Sequence, residues 1–468
     1  MSRSMIKPRG MSRKRIFQIL GPVLFILIQF IPFKDLSIEG RAVLASTAWV
    51  ALWWITEAVE LEFTSLMPII LLPLSGGLPI KETTSAYGHP FIFLFMGGFI
   101  IGLAIEKWQL HRRIAFGIIR FVGSGEKRII LGFMLATAFL SMWISNTATA
   151  VMMLPIGVSV VNIYQNREQF ALNLMLGIGY SASIGGMATL IGTPPNIIFA
   201  GVVKDSLNEE ISFLRWMLFA LPFVVVLLFI CWFYLTRNLQ KGKSGMEIPD
   251  KPGSITIPEK RVLVVFVLIA FFWMTRSLIW NSFIPQLNDT IIAMAGALVL
   301  FLIPSGTGEG NLMNWNTAKK LPWGILLIFG GGLAIARGFA QTDLATWLAN
   351  RFLLLQEAPF WLILILVIAG INFLTEITSN TATASMILPI LISLAAILDV
   401  PPYVLMAGAV LASSAAFMLP VATPPNAIVF GSGKIKIQDM VRKGVWLNLI
   451  SILIIFLFVQ WWWPLINS

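Results

Sequence analysis

Residues 145–156 read SNTATAVMMLPI, and residues 379–390 read SNTATASMILPI. The two windows lie 234 positions apart and differ only at Val151/Ser385 and Met153/Ile387. Both lie inside long apolar stretches, so each half of the chain carries a Ser-Asn-Thr tripeptide among residues that favour a membrane interior. Small polar residues duplicated in this way indicate a site that is built from two internal repeats.

The repetition extends on both sides of these windows. FMGG at 95–98 corresponds to FGGG at 329–332 at the same separation, and TPPN at 193–196 recurs at 423–426, 230 positions later. Two successive prolines remove two backbone donors and interrupt a helix. Each half is therefore predicted to contain one interruption at SNT and another at TPPN, a pattern typical of secondary transporters.

The composition predicts a polytopic membrane protein. Of the 468 residues, 57% are hydrophobic and 12% charged, and the mean hydropathy is +0.84. The net charge of +11 comes from basic residues in loops between apolar runs, which favours positive-inside sorting and contact with membrane lipid over nucleic acid as a partner. One cysteine and two histidines exclude a disulfide framework and a thiolate or histidine metal centre.

The predicted fold class is an all-α polytopic membrane protein with eleven transmembrane helices plus two re-entrant hairpins in two inverted repeats. The predicted spans are 16–33, 41–59, 61–75, 88–107, 171–190, 212–236, 261–283, 288–304, 321–340, 402–421 and 440–465. The SNT segments, 128–162 and 358–397, could each form two ordinary spans. Hairpins are preferred because irregular backbone at membrane depth is tolerated where protein or water satisfies it.

Charge supports this topology. With a cytoplasmic N-terminus and two hairpins, 25 of the 33 basic residues lie on the inside, and the C-terminus lies outside the cell membrane. Residues 1–40 then hold an N-terminal segment and a retained first span rather than a cleaved signal peptide. The first repeat covers 41–237, a cytoplasmic linker 238–260 and the second repeat 261–468. Residues 107–124 and 341–357 are predicted amphipathic interfacial helices.

The interruptions have the chemistry of a cation and anion site. Helix C-termini offer carbonyls and partial negative charge, and N-termini offer amides and partial positive charge. Ser141 precedes Ser145 by one turn, and Thr375 precedes Ser379 likewise, so we expect each pair on one helix face as part of a sodium cup. The helix interruptions at the prolines leave the carbonyls of Gly192 and Ala422 unpaired and available to the ion. They also place Thr193 and Thr423 toward the other ligand.

A simpler interpretation is that these hydroxyls only bond their own i−4 carbonyls, as serine and threonine often do in membrane helices. Two copies, each with a TPPN partner, favour a site instead. Lysine and arginine are absent from the tips, so an anion would be held by helix ends, amides and hydroxyls. Among the acids of the apolar regions, Glu376 is predicted to face away from the site with a structural partner, and Arg337 to pair with an unidentified acid.

At these residues the chain resembles the divalent anion/sodium symporter family, the sodium-coupled carriers of dicarboxylates and citrate. LPVATPPNAIVF at 419–430 is especially characteristic. WWITEAV at 53–59 is also similar, although Glu60 stands where the family commonly has proline. The resemblance implies an inverted-repeat homodimer in which a transport domain moves past a scaffold domain by an elevator mechanism.

The resemblance also implies ligands. One sodium ion would lie at Ser141, Ser145, Asn146 and Gly192, and a second at Thr375, Ser379, Asn380 and Ala422. The substrate carboxylates would contact Asn146, Thr147, Asn380, Thr381 and Thr423, together with Pro424.

The implied function is symport of Na+ with a C4 dicarboxylate (succinate, malate or fumarate) across the inner membrane into the cell. A sodium-independent exchanger and a sulfate or citrate carrier on the same fold are alternatives. An intramembrane hydrolase is disfavoured, because the sequence offers neither a nucleophile–base pair nor a metal set. A structural scaffold subunit would leave the duplicated tips unexplained.

Overall fold

The computed structural model describes residues 13–163, 167–239, 253–308, 310–351 and 357–463, and within these ranges the regular elements are all helical. The α-helices are α1 (Arg13–Phe30), α2 (Ile38–Thr56), α3 (Leu61–Thr64), α4 (Pro68–Ser75), α5 (Ile80–Ala86), α6 (Pro90–Lys107), α7 (Leu110–Val122), α8 (Glu126–Ser141), α9 (Asn146–Ile163), α10 (Glu168–Gly186), α11 (Pro194–Leu207), α12 (Phe213–Thr236), α13 (Ile257–Thr275), α14 (Asp289–Leu302), α15 (Trp315–Ala318), α16 (Trp323–Gln341), α17 (Leu344–Arg351), α18 (Phe360–Leu374), α19 (Asn380–Leu398), α20 (Pro402–Ser414), α21 (Pro424–Phe430) and α22 (Ile437–Leu457). A π-helical turn, Phe458–Trp462, continues α22.

The helices have the length and composition of a multi-pass membrane protein. In the described part of the chain, six helical segments are long and apolar enough to cross a membrane; they are Ile80–Lys107, Asn146–Ile163, Phe213–Thr236, Trp323–Gln341, Asn380–Leu398 and Ile437–Trp462. Four shorter apolar helical segments accompany them. The all-helical membrane class is confirmed, while the number of eleven spans and the inverted relation of the repeats stay predictions.

Several predicted spans end earlier than hydropathy suggests. The span at 41–59 ends with α2 at Thr56, because Glu57 adopts a left-handed conformation with φ 45°. The span at 61–75 is divided between α3 and α4, where Pro68 cannot donate to the Thr64 carbonyl and opens a new helix instead. The chain is also interrupted between α2 and α3, at residues 57–60, although position 60 is glutamate rather than proline.

The breaks at TPPN also shorten two spans. The predicted span 171–190 ends with α10 at Gly186, and the predicted span 402–421 ends with α20 at Ser414. The prolines then stand at the first positions of α11 and α21, where a missing N–H is harmless. Each half thus contains a helix that stops, a stretch of irregular backbone, and a second helix that begins at proline.

The two halves repeat the same order of elements and interlock. The series α7 to α12 recurs as α17 to α22: an interfacial-type helix, two helices joined at SNT, two joined at TPPN, and a long apolar helix. After its break, α11 packs on α19 and α20 of the second half, while α21 packs on α9 and α10 of the first. This exchange brings the interruptions of the two halves close to one another.

Candidate functional site

All four interruptions line one cavity of about 710 Å³. The first half contributes Ser145, Asn146, Thr147, Gly192, Thr193 and Pro194, and the second half contributes Ser379, Asn380, Thr381, Ala422, Thr423 and Pro424. The structure therefore brings together every residue that the sequence singled out, apart from Ser141 and Thr375. Those two side chains are fully buried behind the asparagines.

The first cup is formed where α8 ends. The hydroxyl of Ser141, the last residue of α8, lies 2.6 Å from Asn146 Oδ1 and 2.6 Å from the carbonyl oxygen of Ala182 in α10. Ser141 thereby ties the start of α9 to the neighbouring helix. We call the group formed by Ser141, Asn146, Ala182 and Gly192 the first cup.

The side-chain amide of Asn146 fits this cup in two orientations. With Nδ2 turned inward it donates to Ser141 Oγ at 2.6 Å, to the Gly192 carbonyl at 3.1 Å and to the Ala182 carbonyl at 3.2 Å. With Oδ1 turned inward, the oxygens of all four residues converge. Hydroxyl, amide and carbonyl oxygens are the ligands that a hard cation prefers, so the residues of the first cup fit a sodium ion.

The second cup repeats this arrangement in the other half. Oγ1 of Thr375, the residue after α18, lies 2.7 Å from Asn380 Oδ1 and 2.8 Å from the Ser413 carbonyl oxygen. Thr375 and Asn380 follow Ser141 and Asn146 by 234 positions, and Ser413 follows Ala182 by 231. The carbonyls of Ala182 and Ser413 were missed, because a backbone acceptor has no residue-type signature in the sequence.

The expectation that each hydroxyl pair shares a helix face is wrong. Because the chain must turn at each tip, α8 ends at Ser141 and α18 at Leu374, which leaves Ser145 and Ser379 outside those helices. Ser145 Oγ instead accepts from the Ala148 N–H at 3.2 Å, in the first turn of α9. The residues that meet Ser141 and Thr375 are the asparagines five positions later.

Helix N-termini point at the cavity from both halves. α9, α11 and α19 begin there at Asn146, Pro194 and Asn380, and their first turns carry partial positive charge. Among the described residues that line the cavity, no lysine or arginine occurs, whereas Glu57 and Glu62 do. An anion in this cavity would therefore be held by amides, hydroxyls and neighbouring cations rather than by a basic side chain.

The threonines at the proline breaks differ in their hydrogen bonds. Thr423 Oγ1 accepts from the Asn426 N–H at 3.3 Å and caps α21, whereas Thr193 makes no side-chain cap bond at α11. Both lie at the cavity. The asparagines of the two TPPN motifs have a separate role. The motif pointed to these residues, but what they do was not predicted from the sequence.

That role is to hold the irregular backbone between the paired helices. Asn196 Nδ2 donates to the carbonyls of Gly186, Met187 and Thr189 at 3.2, 3.1 and 2.7 Å. In the second half, Asn426 Nδ2 donates to the carbonyls of Ala416 and Leu419 at 3.2 and 3.1 Å. These amides satisfy carbonyls that the helix ends leave unpaired.

Two glycines allow the first tip to approach so closely. A Cβ at Gly186 would lie 2.3 Å from Asn146 Oδ1, and one at Gly192 would lie 2.3 Å from the Gly186 carbonyl oxygen. Both distances are far below van der Waals contact, so the first cup requires glycine at both positions.

Glu376 has the structural role predicted for it. Its side chain is 3% exposed and accepts four hydrogen bonds, from the backbone N–H groups of residues 417, 418 and 419 and from Asn448 Nδ2. A buried carboxylate that is fully paired in this way orders the backbone leading to Ala422. It does not line the cavity.

Arg337 also has a defined acid partner. Its Nε lies 2.9 Å from Asp205 Oδ2, and His89 Nε2 lies 3.2 Å from Asp205 Oδ1. The cluster joins α16 and the start of α6 to the end of α11. It lies outside the cavity and has no part in the cups.

Comparison with known proteins identifies relatives along the whole chain. A family model described as "Sodium:sulfate symporter transmembrane region" matches residues 13–468. The sodium-dependent dicarboxylate transporters SdcS of Staphylococcus saprophyticus and Staphylococcus aureus strain NCTC 8325 are each 44% identical, over 95% and 96% of this chain and 91% of theirs. These relatives are transporters and not enzymes.

Two solved structures share the fold. The YdaH transporter of Alcanivorax borkumensis superposes with a TM-score of 0.60 at 14% identity, covering 96% of this chain and 98% of its own. MtrF of Neisseria gonorrhoeae gives 0.59 at 13% identity, covering 97% and 95%. At this identity the likeness concerns the fold alone.

Proposed function

Because this chain belongs to the sodium:sulfate symporter family, as the resemblance to divalent anion/sodium symporters predicted, we propose that it takes up a C4 dicarboxylate together with sodium. Succinate, malate and fumarate are the substrates that we propose. The observation that carries the proposal is the pair of equivalent oxygen cups on one cavity that helix N-termini face. The names of the SdcS relatives agree with it.

The two asparagines couple the ions to the substrate. Asn146 and Asn380 each contribute to a cup and also line the cavity. A cation draws Oδ1 into the cup, and the planar amide then turns Nδ2 toward the cavity, where it can donate to a carboxylate. Sodium therefore binds first and prepares two amide donors, with Thr147, Thr381, Thr193 and Thr423 completing the polar wall beside Pro424.

Charge balance limits the energetics. Two sodium ions neutralise a dianion, so membrane voltage does no net work on the loaded carrier. A third cation would gain about 2.3 kcal/mol per 100 mV. We propose two sodium ions, one in each cup, with Ser145, Gly192, Ser379 and Ala422 as the further ligands that the family implies.

The membrane arrangement is part of the same proposal. We infer eleven spans and two hairpins in inverted repeats 41–237 and 261–468, in a homodimer in the inner membrane with its N-terminus inside. One wall of the cavity holds Glu57, Glu62 and Ile325, which adjoin predicted cytoplasmic loops. This supports an inward-facing state, from which an elevator movement of the hairpin domain would carry the site outward.

Transport by the purified protein in liposomes tests the proposal. Uptake of labelled succinate should require an inward sodium gradient and should fall at least tenfold in Asn146→Ala and in Asn380→Ala. The matched control is Asn316→Ala, an exposed asparagine in the short helix α15. Equal uptake with and without sodium, or counterflow without it, would refute symport.

Competition identifies the substrate class. Excess malate or fumarate should block succinate uptake, whereas sulfate and citrate should block it weakly. Stronger inhibition by sulfate would indicate that the substrate is an inorganic dianion rather than a dicarboxylate. Stronger inhibition by citrate would indicate a tricarboxylate carrier.

A further inference from the structure

A second, smaller cavity lies away from the transport site. It measures about 280 Å³ and lies between the end of α12, the start of α10 and the first turns of α22. Its walls include Tyr234, Arg237, Arg442, Lys443 and Trp446. We call it the α12–α22 pocket. All of its basic residues belong to segments that the charge distribution places on the cytoplasmic side.

The charges of this pocket are unbalanced. Three cations, Arg237, Arg442 and Lys443, face one carboxylate, that of Asp439. Among the residues that the structure describes, none of the three cations forms a salt bridge. Like charges gathered in a small space repel one another, so this arrangement favours an anion as the missing partner.

An aromatic ring holds two of the cations in place. The Arg237 guanidinium carbon lies 4.8 Å from the centroid of the Tyr234 ring, and Lys443 Nζ lies 5.8 Å from the same centroid. Both distances are within the range of cation–π attraction. The ring therefore orders two charges from different helices toward a common space.

The surroundings resemble a membrane–water boundary. Trp446 is 56% exposed at the edge of the pocket, as is typical of tryptophan at the level of lipid headgroups. A neighbouring groove of about 840 Å³ shares Asp439 with the pocket and adds the cations Arg167, Lys434 and Lys436 and the carboxylate of Glu168. The basic surface is thus continuous, with an apolar ring at its margin.

We propose that the α12–α22 pocket binds the phosphate group of an anionic phospholipid headgroup. Arginine binds phosphate oxygens in a bidentate manner, lysine adds a point charge, and Trp446 contacts the start of the acyl chains. The shared chemistry is a phosphate ester or a free phosphate, and the exposed tryptophan favours the lipid. This inference does not depend on what the transport site carries.

Two triple variants test the pocket in the full-length purified protein. Arg237→Gln/Arg442→Gln/Lys443→Gln removes the three cations. Arg112→Gln/Lys260→Gln/Lys319→Gln removes three exposed cations elsewhere on the predicted cytoplasmic side and is the control. Melting is followed in detergent while dihexanoyl phosphatidylglycerol, dihexanoyl phosphatidylcholine or sodium phosphate is added.

Phosphatidylglycerol should raise the melting temperature of the wild type and of the control variant, whereas phosphatidylcholine should not. In the pocket variant, the half-saturating lipid concentration should rise at least tenfold. Equal lipid shifts in the pocket and control variants would overturn the proposal. If inorganic phosphate alone reproduces the shift, and the pocket variant loses it, the ligand is free phosphate rather than lipid.

Two further measurements keep the outcome clear. If the triple variant does not fold, Arg442→Gln and Lys443→Gln singly should each weaken lipid binding at least threefold, and no change in either contradicts the proposal. Phosphate titrations are also run in Asn146→Ala/Asn380→Ala at a constant sodium concentration, so that binding at the two cups does not contribute. Lipid binding that persists in this variant separates the two sites.

Discussion

Replacing Glu376 by glutamine should destabilise the protein without removing a sodium ligand. Oε1 accepts from the Phe417 and Met418 N–H groups and from Asn448 Nδ2, and Oε2 accepts from the Leu419 N–H at 3.0 Å. A glutamine oxygen can keep the first three bonds, but its Nε2 then faces the Leu419 N–H, donor against donor.

The magnitude follows from these four bonds. A buried donor left without an acceptor costs about 1–3 kcal/mol, and three bonds that lose their charge weaken by roughly 1 kcal/mol each. The lower desolvation cost of a neutral side chain offsets part of this loss. We expect a net destabilisation of about 2–4 kcal/mol, which appears as a lower melting temperature in medium without sodium.

The assay compares melting with and without sodium for the wild type, Glu376→Gln and the control Glu60→Gln. Glu60 is exposed and makes no side-chain cap bond at α3, so its variant should melt like the wild type. Sodium should still raise the melting temperature of Glu376→Gln, because the first cup is untouched and Glu376 is not itself one of the proposed ligands of the second cup. Unchanged melting without sodium, combined with loss of the sodium-induced shift, would refute this reasoning and make Glu376 an ion ligand.

Three further predictions concern packing and charge. Gly186→Ala should reduce sodium-dependent uptake at least tenfold, because the new methyl meets the asparagine of the first cup, whereas Gly117→Ala, with open space around its Cβ, should leave uptake unchanged. Arg337→Gln and Asp205→Asn should each lower the melting temperature, and a double-mutant cycle should show coupling of about 0.5–3 kcal/mol; additive losses would contradict a shared ion pair. Although burial acts to raise the pKa of Glu259, its capping hydrogen bonds and the neighbouring arginine lower it overall, so its contribution to stability is present above the ordinary carboxyl range and is lost as the pH falls through and below that range. Melting against pH should therefore flatten in Glu259→Gln, and an unaltered pH profile would contradict this assignment.

The sequence predicted the lining of the cavity better than it predicted helix ends. Duplicated SNT and TPPN motifs identified positions that the structure brings together, because a repeated polar residue in an apolar run is a strong local signal. The end of α8 at Ser141 had no such signal, since 142–144 contains neither glycine nor proline. The spacing of Ser141 and Ser145 therefore suggested that the helix continues to the SNT motif, whereas it ends at Ser141.

The backbone carbonyls that complete the cups could not be predicted from the sequence, for a different reason. The carbonyls of Ala182 and Ser413 complete the cups only because α10 and α20 pack behind the turns at the SNT motifs. Nothing in the alanine or serine side chain indicates this, and the two residues differ between the repeats. Only the packing of helices reveals which carbonyl is close.

The differences between the two repeats show which features of a cup are replaceable. Both cups keep a hydroxyl, an asparagine and a backbone carbonyl in the same relation, so this trio is the common part of the sodium sites that we propose. Their supports differ: in the first half Thr189 donates to the Met142 carbonyl at 2.5 Å, whereas in the second half Glu376, at the position equivalent to Met142, accepts from the backbone. Because the two cups have the same kinds of ligand but different supporting contacts, the second cup depends on the buried charge of Glu376 and the first on close glycine packing. Substitutions of the supports should therefore separate the two sodium affinities, whereas substitutions of the asparagines should weaken sodium and substrate together.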